Sequence, residues 1–340
     1  MRRGEGRIWL PLAFVFLAAA MLTGVLVGPV HLGAVNVVHA TFAHVFGLHS
    51  PLSGANDAIL WELRLPRVIL GALVGGTLAA AGASYQGVFR NPLADPYLLG
   101  AAAGAGLGAT VVVAYAPGSG LTGDLLPVSA FIGAAVAVVL AYALGRSAGA
   151  AAGPAALVLA GVTIASFLTA LETFVQQQHV DTVQEVYSWL LGRLATTGWR
   201  EVGIVLPYAV VAWVIMLMHR RLLDVLAVGD EEAASLGVNV ARVRLFVVVA
   251  ATIATAAAVA VAGLIAFVGI IVPHTIRLLV GGSYRLLLPL SVIVGAGFLV
   301  FADVIARTVL APQELPIGVV TAFFGAPFFA VVLRTTRRTA

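Results

Sequence analysis

The sequence predicts an all-α fold, a polytopic membrane bundle of about ten transmembrane helices in a single domain over residues 1–340. Of its 340 residues 61% are hydrophobic and only 10% are charged, where ordinary soluble domains carry about 25% charged residues. Mean hydropathy is +1.05, which leaves too little polar surface to cover a water-soluble globule. The apolar residues form charge-poor runs, and arginines flank those runs.

Each span is an apolar run able to cross about 30 Å of hydrocarbon, roughly 17–25 helical residues. The first covers Ile8 to about Val30. It is longer than the roughly 7–15-residue core of a signal peptide, so it reads as a retained helix despite Arg2, Arg3 and Arg7 before it. Further runs cover about 68–87, 97–115, 127–145, 155–175, 202–218, 243–262, 264–280, 286–305 and 316–333. No charge occurs between Arg244 and Arg277, a stretch too long for one helix, and it is split at Gly263. That leaves a short eighth helix and non-helical backbone at membrane depth.

Ten spans put both ends on one side. With the ends inside, fourteen arginines fall on the cytoplasmic side, among them Arg2, Arg3, Arg7, Arg337 and Arg338. Five fall outside: Arg64, Arg67, Arg193, Arg200 and Arg307. The positive-inside rule therefore predicts cytoplasmic termini. Small residues recur at helical spacing (Gly71, Gly75, Gly76, Ala79 and Gly82; Gly100, Gly104 and Gly108), as close helix packing in lipid requires.

Absences narrow the chemistry. There is no cysteine and no lysine, which excludes thiolate metal sites, Schiff-base chemistry and a lysine-bearing phosphate loop. No Ser/His/Asp set or HExxH motif appears, so the chain reads as a non-enzyme. The excess of arginine marks membrane orientation rather than nucleic-acid binding.

Four polar segments are candidates for function. In the inner loop 219–244, Asp230 can cap a short helix with Glu231 and Glu232 in its first turn, and Gly237 can end it after Leu236. The segment 230–237, with Ser235 beside Leu236, reads either as a docking knob for a cytoplasmic partner or as an amphipathic connector. The turn Arg90-Asn91-Pro92-Leu93-Ala94-Asp95-Pro96 is either a tight connection or a constriction at the inner mouth of a pathway. Outer Arg64, Arg67 and Arg307 either snorkel to lipid phosphates or form a basic docking surface for an acidic partner. His31, His39, His44 and His49 lie in the first outer loop without metal-ligand spacing and read as solvated; His274 reads as structural. Glu172 and Asp303 sit toward outer helix ends, where a carrier coupled to an ion gradient would place carboxylates nearer the midplane.

These residues resemble the permease family of ABC importers for ferric siderophores, haem and cobalamin. The resemblance runs in order through Arg64-Leu65-Pro66-Arg67, the 90–96 turn, Ser235-Leu236-Gly237-Val238, Gly269 to His274, Asp303 to Arg307, Glu314 to Thr321 and Gly325-Ala326-Pro327. It implies a type II importer permease of ten helices, acting by alternating access at a homodimer interface in a bacterial inner membrane. It implies two cytoplasmic ATPase subunits that hold ATP and magnesium, with no cofactor in this chain, and an extracytoplasmic substrate-binding protein. Asp230, Glu231, Glu232, Ser235, Leu236 and Gly237 would form the coupling element. Arg64, Arg67 and Arg307 would meet the binding protein, and Asn91 and Leu93 the cytoplasmic gate. The second gate element of the cobalamin branch, small hydroxyl residues, is replaced here by Pro154 and Ala155. Iron chelates are the commoner cargo of the family. The alternative is an ion-coupled secondary transporter without an ATPase partner.

Overall fold

The computed structural model describes residues 6–28, 30–116, 122–147, 153–194 and 198–336; Arg2, Arg3, Arg337, Arg338 and the side chains of Arg7 and Pro154 lie outside the description. Among the described residues there is no strand. In chain order the helices are α1 (Gly6–Leu26), α2 (Ala34–Phe46), α3 (Gly54–Ala58), α4 (Leu65–Phe89), α5 (Ala101–Tyr115), α6 (Thr122–Ser147), α7 (Gly153–Gln178), α8 (Val183–Leu190), α9 (Arg200–Leu226), α10 (Asp230–Ser235), α11 (Val240–Ala262), α12 (Val268–Val280), α13 (Tyr284–Thr308) and α14 (Ile317–Thr336).

Among the described residues seven helices are long and apolar enough to cross a membrane by length and composition, and α2, α5, α12 and α14 are shorter apolar helices. The seven together with α5, α12 and α14 correspond to the ten predicted spans, and α2 lies in the first outer loop. The second extends further than hydropathy suggested: a π-helical turn, Ile59–Arg64, joins α3 to α4. Pro66 sits in the first turn of α4, directly after the π-helical turn.

α4 is the central post. In the 54–89 run 89% of the apolar window is buried, against 28% in α6, α7 and α9. Small residues make this possible. Gly75 lies against the backbone of Gly295 on α13, and Gly82 against Gly269 on α12; a Cβ at either would strike main chain. Gly104 and Gly133 make the same approach between α5 and α6. In a lipid setting, where apolar side chains gain little by leaving the solvent, this closeness supplies the dispersion contacts that hold helices together. The outward faces stay apolar: Leu159, Phe167 and Phe174 on α7, and Phe323 and Val331 on α14, are exposed.

The predicted break falls at Gly263, which caps α11 with φ 68°, and α12 begins only at Val268. Three chain breaks meet there. Arg193 N–H donates to the Ala262 carbonyl (2.8 Å), Ile317 N–H to Gly192 (3.2 Å) and Gly318 N–H to Leu191 (3.1 Å). The Tyr97 hydroxyl closes the rest, donating to the Ile265 carbonyl at 3.1 Å and accepting from the Ile265 N–H at 3.2 Å. Gly192, at φ 73°, packs so tightly against the 262–265 backbone that a side chain has no room.

Replacing Gly75 by Ala is expected to destabilise the protein by about 2 kcal/mol or more, because main chain cannot yield as a side chain can. Gly203→Ala, in open space on α9, is expected to be neutral or to stabilise by up to about 1 kcal/mol. Thermal midpoints of the purified protein in one detergent check both.

Candidate functional site

On the face where α4 ends and α9 turns back, α10 projects from the bundle. Only Ala233 of this helix is buried; Glu231, Glu232, Ser235, Leu236 and Gly237 are exposed. Its end is a Schellman turn: Gly237, at φ 79°, donates N–H to the Ala234 carbonyl (2.9 Å), and Val238 N–H donates to Ala233 (3.1 Å). Asn239 then caps α11 by accepting the Arg242 N–H at 3.0 Å. The expected cap at the other end is corrected: Gly229, not Asp230, is the N-cap, and the Glu232 carboxylate folds back against it.

Asp230 is the first helical residue instead, and its carboxylate joins three elements. Arg244 Nη2 from α11 lies 3.1 and 3.2 Å from its two oxygens, and Arg90 Nη2 lies 3.2 Å from Oδ1. Arg90 is itself unusual. It occupies the left-handed position (φ 51°) that ends α4, with Arg90 N–H on the Gly87 carbonyl and Asn91 N–H on Gln86. A glycine there would avoid about 1 kcal/mol of Cβ strain. The arginine reaches Asp230 from it.

The turn beyond Arg90 is set by short polar side chains. Asn91 Oδ1 accepts the Leu93 N–H (2.9 Å) and Asp95 Oδ1 accepts the Tyr97 N–H (2.7 Å). Asn91 and Leu93 are exposed, and Ala155, the described half of the other pair, is also exposed. Burial pushes the Asp95 carboxyl up to about 6. Behind the turn Arg277 Nη2 donates to Gln86 (3.3 Å) and Tyr284 (3.1 Å), and Asp224 caps α13 through Tyr284 N–H (2.6 Å). Sequence reasoning placed Arg90 in the candidate turn without a partner and gave no role to Arg244, Arg277 or Asp224, because each meets its partner on a different element.

On the opposite face the three arginines form an internally paired brace, with Arg64 and Arg307 buried and Arg67 half-buried, rather than an open basic patch. Arg64 is 5% exposed and donates to the carbonyls of Val25 (3.0 Å), Leu26 (3.3 Å) and Val30, capping the end of α1. Arg67 makes paired bonds to Asp303 (2.9 and 3.1 Å) and to Glu314 (2.9 Å each), clamping α4 to α13 and to the α13–α14 loop. Arg307 is 7% exposed; its Nε lies 3.2 Å from Asp303, and Nη2 donates to the Gly24 carbonyl at 2.6 Å. The exposed member of the group is Glu314, whose bond to Arg67 holds its carboxyl below the usual range. Three residues apart, Arg64 and Arg67 turn to different neighbours, because Arg64 ends a π-helical turn and Arg67 belongs to α4. Glu172 is buried between α7 and α5, bonded to Gln176 (3.1 Å) and lying against Gly106 and Thr110.

The first outer loop is not simply solvated, for α2 lies within it. His44 Nε2 pairs with Asp57 at 2.7 Å, stacks on Trp61 at 4.2 Å, and shares Asp57 with Ser50. The Ser50 bond, and the imidazole after it, draws the Asp57 carboxyl below the ordinary range. His31, His39 and His49 are exposed, and among the described residues no group of three potential metal ligands occurs.

An all-helical bundle with a buried ion cluster on one face and a projecting acidic helix on the other fits a membrane transport permease. The chain matches the FecCD transport family over residues 15–335 and belongs to it. It is 38% identical over 329 residues to YvrB of Bacillus subtilis, an uncharacterized ABC transporter permease protein, covering 95% of this chain and 92% of that one. It is 36% identical over 294 residues to the cobalamin import permease BtuC of Halobacterium salinarum, covering 86% and 78%. A solved structure, an inward-facing conformation of a metal-chelate type ABC transporter, superposes with a TM-score of 0.82 at 26% identity, covering 97% of this chain and 99% of that one.

Removing Asp303 leaves the buried Arg307 guanidinium without its nearest counter-charge and half-buried Arg67 with Glu314 alone. Asp303→Asn is therefore expected to destabilise by about 3 kcal/mol, measured by thermal midpoint. Asp95 has the opposite sign. Its folded-state pKa of about 6 exceeds the ordinary 3.8, so stability falls as pH rises through that window, then levels off. Asp95→Asn is expected to stabilise by roughly 1–2 kcal/mol near pH 8 and to change little near pH 4, in pH-resolved unfolding.

Proposed function

We propose that this chain is the membrane permease of an ATP-driven importer for a metal chelate, a ferric siderophore or haem, or for cobalamin. Family membership supports the importer class. The metal-chelate type neighbour and the cobalamin import relative support those two cargo chemistries. Two copies of the chain enclose the pathway, and the exposed apolar faces of α7 and α14 support a partner helix or lipid on each. The chain lies in a bacterial inner membrane with both termini in the cytoplasm, following the arginine asymmetry.

The observation that carries the reading is α10, an exposed acidic helix tied by one carboxylate to the end of α4 and to α11. Two cytoplasmic ATPase subunits seat this helix and supply the lysine-bearing sites for ATP and magnesium; this chain holds no cofactor and performs no hydrolysis. ATP favours one state by its differential affinity for the two. The resulting shift of α10 passes through Asp230 and Arg90 to the Asn91–Leu93 turn, which opens or closes the inner mouth. On the outer face a substrate-binding protein docks over Arg67 and Glu314, with Arg64 and Arg307 as buried support. The ion-coupled alternative would need a carboxylate near the midplane free to exchange its ion, whereas Asp303 is paired with two arginines and Glu172, bonded to Gln176, lies toward an outer helix end.

Gentle solubilisation of the tagged chain and mass spectrometry of what co-purifies are expected to reveal a stoichiometric ATPase with a lysine-bearing phosphate loop. Reproducible recovery without one would overturn the importer reading. In proteoliposomes with that ATPase, Asp230→Ala is expected to lower uptake about tenfold while hydrolysis persists, as loss of a coupling free energy of about 1–3 kcal/mol predicts. Arg90→Gly keeps the left-handed bend without its strain, so a similar loss assigns the effect to the guanidinium.

A further inference from the structure

A cavity of about 500 Å³ opens between α6 and α9, floored by the upper end of α11, and none of the transport elements above uses it. Ala257, Ala260 and Val261 make its floor, and Leu126, Phe131, Ile204 and Tyr208 its walls. At its mouth the Asp124–Arg200 ion pair spans from α6 to α9, and one or two turns deeper the Phe131 and Tyr208 rings meet at 5.5 Å between centroids. Between these two struts the helices stand apart over alanines, whose small side chains leave the space.

The rim is polar and of mixed sign. Arg193, Arg200, Asp124 and Glu201 line it. Arg193 has no carboxylate partner among the described residues; its backbone N–H is pinned to the Ala262 carbonyl, which holds it at the rim. α6 and α9 both begin here, so their positive dipole ends lie on the same side. An apolar slot at membrane depth under a rim of arginines and carboxylates matches a molecule with a hydrocarbon chain and a phosphate-bearing head.

We propose that this slot is a binding site for a phospholipid of the adjoining leaflet, with one acyl chain between α6 and α9 and its phosphate on Arg193. Under the topology proposed above this is the outer leaflet. The bound chain would fill the gap beside the 191–193, 262–265 junction and brace α6 and α9 against it.

Trp189 lines the slot yet is only 5% exposed, so it can report a chain inside without responding to lipid around the bundle. The full chain is reconstituted in nanodiscs with phosphatidylethanolamine carrying brominated acyl chains, and the fluorescence of Trp189 is taken as the difference from Trp189→Phe. Quenching of Trp189 is expected in the native protein, its loss in Ala260→Phe, which fills the slot, and its weakening in Arg193→Glu. Absence of Trp189 quenching in the native protein, or quenching unchanged in Ala260→Phe, would overturn the site. A brominated-chain detergent without phosphate separates the two parts of the proposal. If it quenches Trp189 as strongly as the phospholipid does, with Arg193→Glu without effect on either, phosphate recognition is overturned. Should Ala260→Phe fail to fold, Arg193→Glu still decides, because equal phospholipid quenching in it and the native protein contradicts the assignment.

Discussion

Hydrocarbon offers no partner to a backbone N–H or carbonyl, and the rest of this structure depends on how the chain meets that constraint where its helices stop short of the surface. The break after Ala262 frees several main-chain groups at depth. The Ala262 carbonyl accepts from Arg193, at the interruption around Gly192, and Ile265 bonds through both main-chain groups to the hydroxyl of Tyr97; the carbonyls of Leu191 and Gly192 are met in turn by Gly318 and Ile317. Each interruption is tolerable only because the others are there. α12 can thus be a short helix that starts beside the middle of α4, and the region around Ile265 and Phe267 can carry non-helical backbone within the bundle.

Charge is handled by the same logic of internal satisfaction. Asp303 is nearly inaccessible, and it is held by two arginines that are themselves committed to Glu314 and to the carbonyls of α1. Arg64 turns its whole guanidinium to the exposed carbonyls at the end of α1, stabilising a helix end that lipid would leave bare. The brace is consequently rigid on the face where a partner would press. The other face is built differently. Asp230 and Arg90 are each about a third exposed, and they connect a projecting helix to a turn rather than one buried helix to another. A joint of that kind can move as a unit without uncovering a buried charge, which suits it to transmit displacement where the brace resists it.

The glycines explain why such a bundle can be tight without large side chains at its centre. α4 meets α12 and α13 through backbone contacts at Gly82 and Gly75, and α5 meets α6 through Gly104 and Gly133. Where the small residues are alanines on α11 facing two helices that diverge, the same economy leaves a cavity instead. Close approach and empty slot follow from one compositional choice, and the neighbour's geometry decides which appears.

Hydropathy and arginine placement were enough to read the ten apolar helices, the split at Gly263, the close-packed glycine faces and the short helix ending at Gly237, because each depends on residues adjacent in the chain or one helical turn apart. The pairing of charges was not legible. Arg67 lies 236 positions from Asp303 and 247 from Glu314, and nothing local distinguishes an arginine that will snorkel from one that will be buried. For the same reason His44 looked solvated until α2 and α3 brought Asp57 to it, and Asp230 looked like a helix cap until Arg90 and Arg244 arrived from elsewhere. The sequence by itself determined which segments leave water and where the helices must bend or end, since those are costs borne by each segment alone. Only the tertiary structure decided which polar groups satisfy one another, because in a medium without water that choice belongs to whichever elements pack together.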